Sequence, residues 1–399
     1  VLSLRDPIHG FIRADPLEAA LINSRPLQRL RTIHQLGLTF LVFPGAEHSR
    51  FSHVLGAMHL AGRAYDALCT RGGGLLPAGV KARERRLARA AALLHDLGHA
   101  PFSHSAEELF SGGIDHEEMT RRMIASPEMA RIFERFGDGI APADVLRLLT
   151  GGHGGGPVER LLSQIVSGEL DVDKMDYLLR DSLFCGVRYG NFDLDRLLET
   201  LLPIEDPKTG SLGVGLEEGG VHAVEALVMA RYYMFTQVYF NATGKALELH
   251  LNQWLSEQGH RWPDTPEAFL DEDDVAVWAA MRRSPSPHAR AVVDREHFPV
   301  AFETREHLSA EEKRGFEALL PTLARRFGAG NLLVSNSAKD PHRLRTSRVL
   351  VRHHDGSLEP MAEASQFIRH LSRIERFRVY TPKELRHEVG AAIREIWNP

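Results

Sequence analysis

The sequence predicts a mainly α-helical protein with a smaller α+β region towards its C-terminal end. Three observations carry that prediction. Apolar residues recur at helical spacing through most of the first 260 positions. Proline and glycine clusters cut those stretches into pieces of ordinary helix length. Beyond about residue 260 the pattern changes, and short β-branched or aromatic runs appear beside turn dipeptides. The expected division is residues 1–260 and 261–399, with the second part a candidate for oligomerisation or regulation.

Taken in order, residues 15–36 read as two short helices, with Pro26 in the first turn of the second and Leu27, Leu30, Ile33 and Leu36 on one face. Pro44-Gly45 breaks the pattern. Residues 51–70 read as a helix whose small residues (Gly56, Ala57, Ala61, Gly62) suit close packing, and the glycine-rich 71–79 reads as a loop. Residues 81–97 predict a helix that is basic outside and apolar inside and stops at Gly98. A loop at 111–116 precedes a helix from about 117, and Gly151–Gly156 reads as a connector. Residues 158–185 and 222–257 both read as helical, separated by a hairpin within 203–220 signalled by Asp206-Pro207 and Thr209-Gly210. Further on, Val349-Leu350-Val351 before Asp355-Gly356 and Phe377–Tyr380 read as strands, and 382–397 as a closing helix.

Composition narrows the function. Hydrophobic residues make up 43% and charged residues 25% of the 399 positions, which suits a soluble protein with a sizeable core. The net charge of −5 argues against duplex nucleic acid as the main ligand, although local basic clusters can still hold a polyanion. Cys69 and Cys185 are too few for a disulfide framework or a cysteine-rich zinc site and fit a cytoplasmic protein. No apolar run reaches the ~18 residues of a membrane helix, and the first residues do not read as a signal peptide.

Histidine is the unusual residue. Many of the 21 histidines cluster between His34 and His116. The apolar run Ala91–Leu94 leads directly into His95-Asp96, and a buried carboxylate beside an imidazole needs a compensating partner. On its own a His-Asp dipeptide is more often an ordinary helix end. Here the string His95–His104 holds three histidines and an aspartate in ten residues, with His53 upstream and Asp171, Asp173 and Asp176 downstream. Two imidazoles and two carboxylates from separate helices make a mixed nitrogen and oxygen site that suits iron, manganese, zinc or magnesium. Such an ion can lower the pKa of water and polarise a phosphoryl group.

Four further blocks accompany the His95 segment: Asp6–Gly10; Leu27–Arg31 through Gln35–Gly37; Val42–Ala46 through His53; and Asp171–Lys174 through Arg180-Asp181. Together, over roughly residues 4–190, the sequence resembles the HD-superfamily deoxynucleoside triphosphate triphosphohydrolases. The likeness is greatest to the branch whose vertebrate member joins a SAM domain to the HD domain; no SAM domain is recognisable in this chain. The resemblance implies an HD-domain helical core and roles for individual residues. His53, His95, Asp96 and Asp173 correspond to metal ligands, with Asp171 and Asp176 in support. His99, His104 and His116 correspond to histidines lining the reaction centre, with His104 the candidate general acid and Glu107 positioned to charge it, where the family often has Asp. Arg50, Lys174 and Arg231 correspond to phosphate-binding positions, and Tyr177 to a sugar or phosphate contact. Leu36 and Tyr239 correspond to the wall that crowds a 2′ hydroxyl, Gln35 and Asp181 to partners of the 3′ hydroxyl. Gln28 and Arg31 match contacts to an activating nucleotide. Asn23, Leu2, Asn241 and Ala242 depart from the family pattern, which leaves the effector open.

The expected reaction is hydrolysis of a dNTP to deoxynucleoside and inorganic triphosphate. Activated water attacks the α-phosphorus, basic residues hold the β and γ phosphates, and a histidine protonates the 5′ oxygen. Two alternatives stand beside it: an HD phosphohydrolase acting on a monophosphate, cyclic nucleotide or nucleic-acid end, and a nucleotide-binding regulator with little catalysis. The resemblance further implies a homo-oligomer, dimer or tetramer.

Overall fold

The chain begins with two strands that the helical periodicity does not signal, Leu2–Asp6 and Gly10–Ala14, paired antiparallel. Asp6 shapes their turn: its Oδ1 accepts hydrogen bonds from the backbone N–H groups of Ile8 and His9, each at 2.9 Å. In this computed structural model the described residues are 2–72, 74–76, 81–102, 109–346 and 349–397. Among the described residues helix accounts for 57% and the strands form three small sheets, so the fold is mainly α with a smaller α+β C-terminal region. Among the described residues no helix is long and apolar enough to cross a membrane.

The two early helices are Pro16–Ile22 and Arg25–Arg29. The first is capped by a reciprocal Asp15–Glu18 box. Arg50–Arg71 is the central helix; it is buried along most of its length and packs against Ala82–Leu94 and Val172–Phe184. Arg89 corrects the expectation of a wholly external basic face. It is buried and paired with Glu18 at 2.5 and 2.8 Å, because a charge in a core needs an opposite one.

Four expected helices end or break differently. The second early helix, expected to run on through Leu30, Ile33 and Leu36, stops at Arg29, tightens into a short turn at Leu30–Thr32 and becomes extended at Ile33. The 81–97 segment stops at Leu94, so His95 and Asp96 sit on the turn that follows. His95 Nδ1–H donates back to the Ala92 carbonyl at 2.8 Å and closes the last turn. Residues 158–185 form two helices, Pro157–Val166 and Val172–Phe184, because Asp171 starts the second by capping the Lys174 N–H. Residues 222–257 also divide: Val221–Met234 runs into a wide turn at Phe235–Tyr239, and Asn241 caps a new helix, Ala242–Glu257.

The expected hairpin is present as Leu201–Glu205 with Leu212–Glu217. Leu350–Arg352 joins it in parallel and then pairs with Leu358–Pro360 across the Asp355-Gly356 turn. One sheet therefore spans both parts of the sequence, and Leu344, Val351, Met361 and Ile368 bury in the main core. A second core forms where Ala310–Phe327 and Arg386–Ile396 cover the sheet made by Val300–Glu303, Leu333–Lys339 and Ile374–Tyr380.

Candidate active site

His53 faces inward from the second turn of Arg50–Arg71 and is fully buried. Its Nδ1–H donates to Asp176 Oδ2 at 2.8 Å, which leaves Nε2 as the acceptor nitrogen. Asp176 also accepts from His9 Nε2 at 2.7 Å and from Arg180 Nε and Nη2 at 2.8 and 2.9 Å, and Arg180 reaches Asp6 at 2.9 Å. A chain of buried charges thus runs from the N-terminal hairpin to His53. Gly56 makes room for it, since a Cβ there would collide with the Asp176 carboxylate and the Arg180 guanidinium.

The other half comes from the turn after Leu94. Gly98 N–H donates to Thr120 Oγ1 at 2.9 Å, and a Cβ at position 98 would strike the His116 carbonyl and the Thr120 backbone. That close approach stacks the His99 and His116 rings with centroids 4.4 Å apart. Arg29 Nη1 holds the His99 carbonyl at 3.0 Å, and Asp274 Oδ1 accepts the Phe102 N–H at 2.7 Å. Gly98→Ala is expected to destabilise the protein by ~1–3 kcal/mol, the usual cost of overpacking, and to lower turnover by moving both histidines. Thermal melts and a rate assay check this; an unaltered Tm would contradict the tight contact.

Three potential metal ligands converge: one atom each from His53, His95 and Asp173 lie within 4.8 Å of one another. His53 Nε2 is 3.1 Å and His95 Nε2 is 3.5 Å from Asp173 Oδ1, yet neither imidazole nitrogen makes a properly aligned hydrogen bond among the described residues. Both Nδ1 atoms are occupied as donors, so both Nε2 lone pairs point where a cation would sit, the outer arrangement expected around metal-binding histidines. Asp96 borders the group, with Oδ1 3.3 Å from His95 Nε2 and Oδ2 3.9 Å from His53 Nε2, while Arg50 Nη1 holds Oδ2 at 2.6 Å. The donor set therefore fits a divalent cation.

Without a cation the same carboxylates favour protonation of both imidazoles, so protons stand where the metal would. Burial opposes a charged His53, but the carboxylates of Asp173 and Asp176 outweigh it and raise its pKa to about 10. His95 is raised against burial by Asp96 and Asp173. Asp173 lies far below the usual carboxylate range, because His53 and His95 overcome its burial. His99 moves the other way: burial and the Arg50 charge hold it well below the ordinary imidazole range, although Asp96 pulls upward.

The cluster opens onto a cavity of about 550 Å³ that gathers residues from distant segments. Its wall includes Asp96, His99 and Asp173 beside Gln35, Leu36, Arg50, Lys174, Tyr177, Asp181, Arg231 and Tyr239. Asp181 is gripped on both sides, by His48 Nε2 at 2.8 Å and by the Tyr239 hydroxyl at 2.7 Å. Lys174 lines the wall with its ammonium tied to Asp171 Oδ2 at 2.5 Å and to the Gly168 carbonyl at 2.8 Å. Arg231 is anchored through Nη1 to the Pro341 carbonyl at 2.9 Å. His104 and Glu107 lie outside the described residues. Gln28 and Arg31 are away from this wall; they bond each other at 2.8 Å, and Arg31 covers the Phe51 ring at 3.6 Å.

Sequence reasoning missed several side chains here. His9 and His48 fall within the blocks that carry the resemblance, but nothing in the sequence gives either a role, and only the fold reveals that they buttress Asp176 and Asp181. Lys339, also in the wall, comes from the C-terminal region, about a hundred residues beyond the expected site.

Comparison with known proteins places this geometry in a family. Residues 50–181 match the HD domain and residues 192–398 match the HD associated region. The chain is an HD-domain protein. A hypothetical protein from Aquifex aeolicus has a solved structure that superposes with a TM-score of 0.83 at 30% identity, covering 98% of this chain and 99% of that one. A phosphohydrolase from Bacteroides thetaiotaomicron gives 0.75 at 26% identity, covering 95% and 99%. Among curated relatives, the uncharacterized protein YwfO of Bacillus subtilis is 38% identical over 279 residues, which is 66% of this chain and 59% of that protein. The deoxynucleoside triphosphate triphosphohydrolase SAMHD1 homolog of Dictyostelium discoideum is 33% identical over 267 residues, 64% of this chain and 49% of that protein. The HD-domain chain thus spans about half the length of these two relatives.

Proposed function

We propose that this HD-domain protein is a metal-dependent phosphohydrolase that cleaves dNTPs to deoxynucleoside and inorganic triphosphate. One observation carries the reading: a single cavity joins the His/Asp cluster, several cations and the Gln35, Leu36, Tyr239 and Asp181 group. His53, His95, Asp173 and Asp96 would hold the cation. Bound there, it would supply Lewis-acid polarisation of a phosphoryl oxygen and a more acidic water.

The remaining work falls to the chain's own residues. Arg50 sits between Asp96 and the cavity, and with Arg231 and Lys339 it offers positive charge to a triphosphate. Asp181 accepts from Tyr239 and His48 and still has carboxylate lone pairs for a sugar hydroxyl. Leu36 and Tyr239 stand in the same wall, where added volume at the 2′ position would be resisted. Tyr177 packs edge-on against Tyr239 with centroids 6.4 Å apart and stiffens that wall. The activity for which the Dictyostelium relative is named supports the same substrate class.

The test is product identification over the four dNTPs and their ribose counterparts with defined divalent metals. Tripolyphosphate from dNTPs is the expected product. Release of orthophosphate alone, or activity confined to monophosphates or nucleic-acid ends, would reject this reading in favour of another HD phosphohydrolase. Leu36→Ala is expected to relax sugar discrimination by ~1–3 kcal/mol, the range for a few methylene-sized contacts. Equal wild-type rates on dNTP and NTP would remove the basis for that wall.

A further inference from the structure

A second cavity of about 630 Å³ adjoins the first and shares Lys174, Arg231, Ala338 and Lys339 with it. Beyond these common residues its wall adds three arginines: Arg160 from Pro157–Val166, Arg343 from the segment after Leu333–Lys339, and Arg373 just before Ile374–Tyr380. Four carboxylates, Glu169, Asp171, Asp206 and Asp340, also line it, against six cations counted with the shared Lys174, Arg231 and Lys339. Asp171 holds Lys174, Asp206 closes its own turn through Lys208 N–H and Thr209, and Glu169 accepts the Arg343 backbone N–H at 2.8 Å.

The cations are less well matched. Lys339 makes no ion pair or hydrogen bond through its side chain among the described residues; its ammonium sits 5.5 Å over the Phe235 ring. Arg231 Nε is buried and has no hydrogen-bond partner among the described residues. Partial burial and the charges of Arg231, Lys174 and Arg343 hold the Lys339 ammonium below its usual pKa, although Asp173 pulls upward, as expected where positive charges are crowded. Among the described residues no aromatic side chain lines this second cavity, whereas the first has Tyr177, Phe235, Tyr239 and Phe240. A base has no stacking surface there.

We infer that the second cavity is a binding site for a condensed inorganic phosphate chain, entered from the phosphate side of the substrate cavity across Lys174, Arg231 and Lys339. The assignment rests on the proposed triphosphohydrolase reading for its source: the chain would be the released triphosphate, held apart from the departing deoxynucleoside. The same chemistry would accept the phosphate tail of the bound nucleotide itself, and the KM for dNTP separates the two.

Titration calorimetry with sodium tripolyphosphate compares the wild type with an Arg160→Gln/Arg343→Gln double variant and, separately, with Arg373→Gln. None of these arginines lines the substrate cavity, so circular dichroism and dNTP hydrolysis check that the variants fold. Tripolyphosphate affinity and its potency as a product inhibitor are expected to fall roughly tenfold in the double variant, as for loss of charge-assisted contacts. The KM for dNTP should change less than about twofold. A parallel rise in that KM would place the arginines on the substrate's own phosphates and overturn the separate site. Unchanged tripolyphosphate affinity in both variants would overturn it too. Because binding is read directly, a protein that hydrolyses no dNTP but binds tripolyphosphate through these arginines would refute the proposed activity and leave the anion site standing.

Discussion

Asp173→Ala and His95→Ala are each expected to remove both bound divalent metal and turnover while leaving the helical fold in place. Asp173 Oδ1 is where the two histidines converge, at 3.1 and 3.5 Å. Without it only Asp96, 3.3 Å from His95 Nε2 and 3.9 Å from His53 Nε2 and already held by Arg50, keeps a carboxylate near the two buried nitrogens, and three of the four proposed ligands remain. Metal content by emission spectroscopy and dNTP hydrolysis by product release read the two losses together. Full turnover by metal-depleted Asp173→Ala protein would sink the metal reading. Because an imidazole must be neutral to bind a cation, metal uptake should release protons and weaken as pH falls. His53, raised to about 10 by its carboxylate neighbours, is the group whose proton the cation must displace.

Asp176→Ala is expected to destabilise the fold more than Asp173→Ala or His95→Ala. Asp176 and Arg180 are fully buried, and Asp176 is the partner of His53, His9 and Arg180 at once. Removing one member of a buried charge pair typically costs ~3–5 kcal/mol, because the other is left without compensation. The remaining Asp6 contact at 2.9 Å puts the expectation at the lower part of that range. Metal affinity should fall as well, by ~10–100-fold, since His53 loses the acceptor that orients it. Chemical denaturation and metal titration separate the two effects; a variant as stable as the wild type would refute the buried network. Burial pushes the Asp176 pKa up, but Arg180, His53 and His9 hold it well below the usual carboxylate range. Its contribution is therefore present above the unfolded value near ~3.9 and is lost as pH falls through the folded one. The variant should accordingly lose less stability than the wild type on strong acidification.

Much of the helical architecture was legible because apolar spacing records which face of a helix is buried, as Arg50–Arg71 and Ala82–Leu94 illustrate. The breaks inside 158–185 and 222–257 were less legible. A cap such as Asp171 or Asn241 interrupts a helix without interrupting the apolar pattern on either side. The N-terminal hairpin was hidden by its brevity: two five-residue strands hold too few alternations to stand out from the helices that follow.

The site divides in the same way. The sequence by itself determined the mainly helical class, the HD-type cluster of histidines and aspartates, and the blocks that carry the family resemblance, because ligand types and their local spacing are written in consecutive residues. Only the tertiary structure decided which groups meet. It brought His53, His95 and Asp173 within 4.8 Å, set His9 and His48 behind Asp176 and Asp181, and tied the Lys174 ammonium to Asp171. It also carried Lys339 from the C-terminal sheet into the wall of the cavity beside the His/Asp cluster and opened the second, basic cavity next to it. These are contacts between residues far apart in the chain. Their energies depend on distances of a few ångströms that no local periodicity encodes, and a charge becomes a partner or an orphan only when the fold has removed its water.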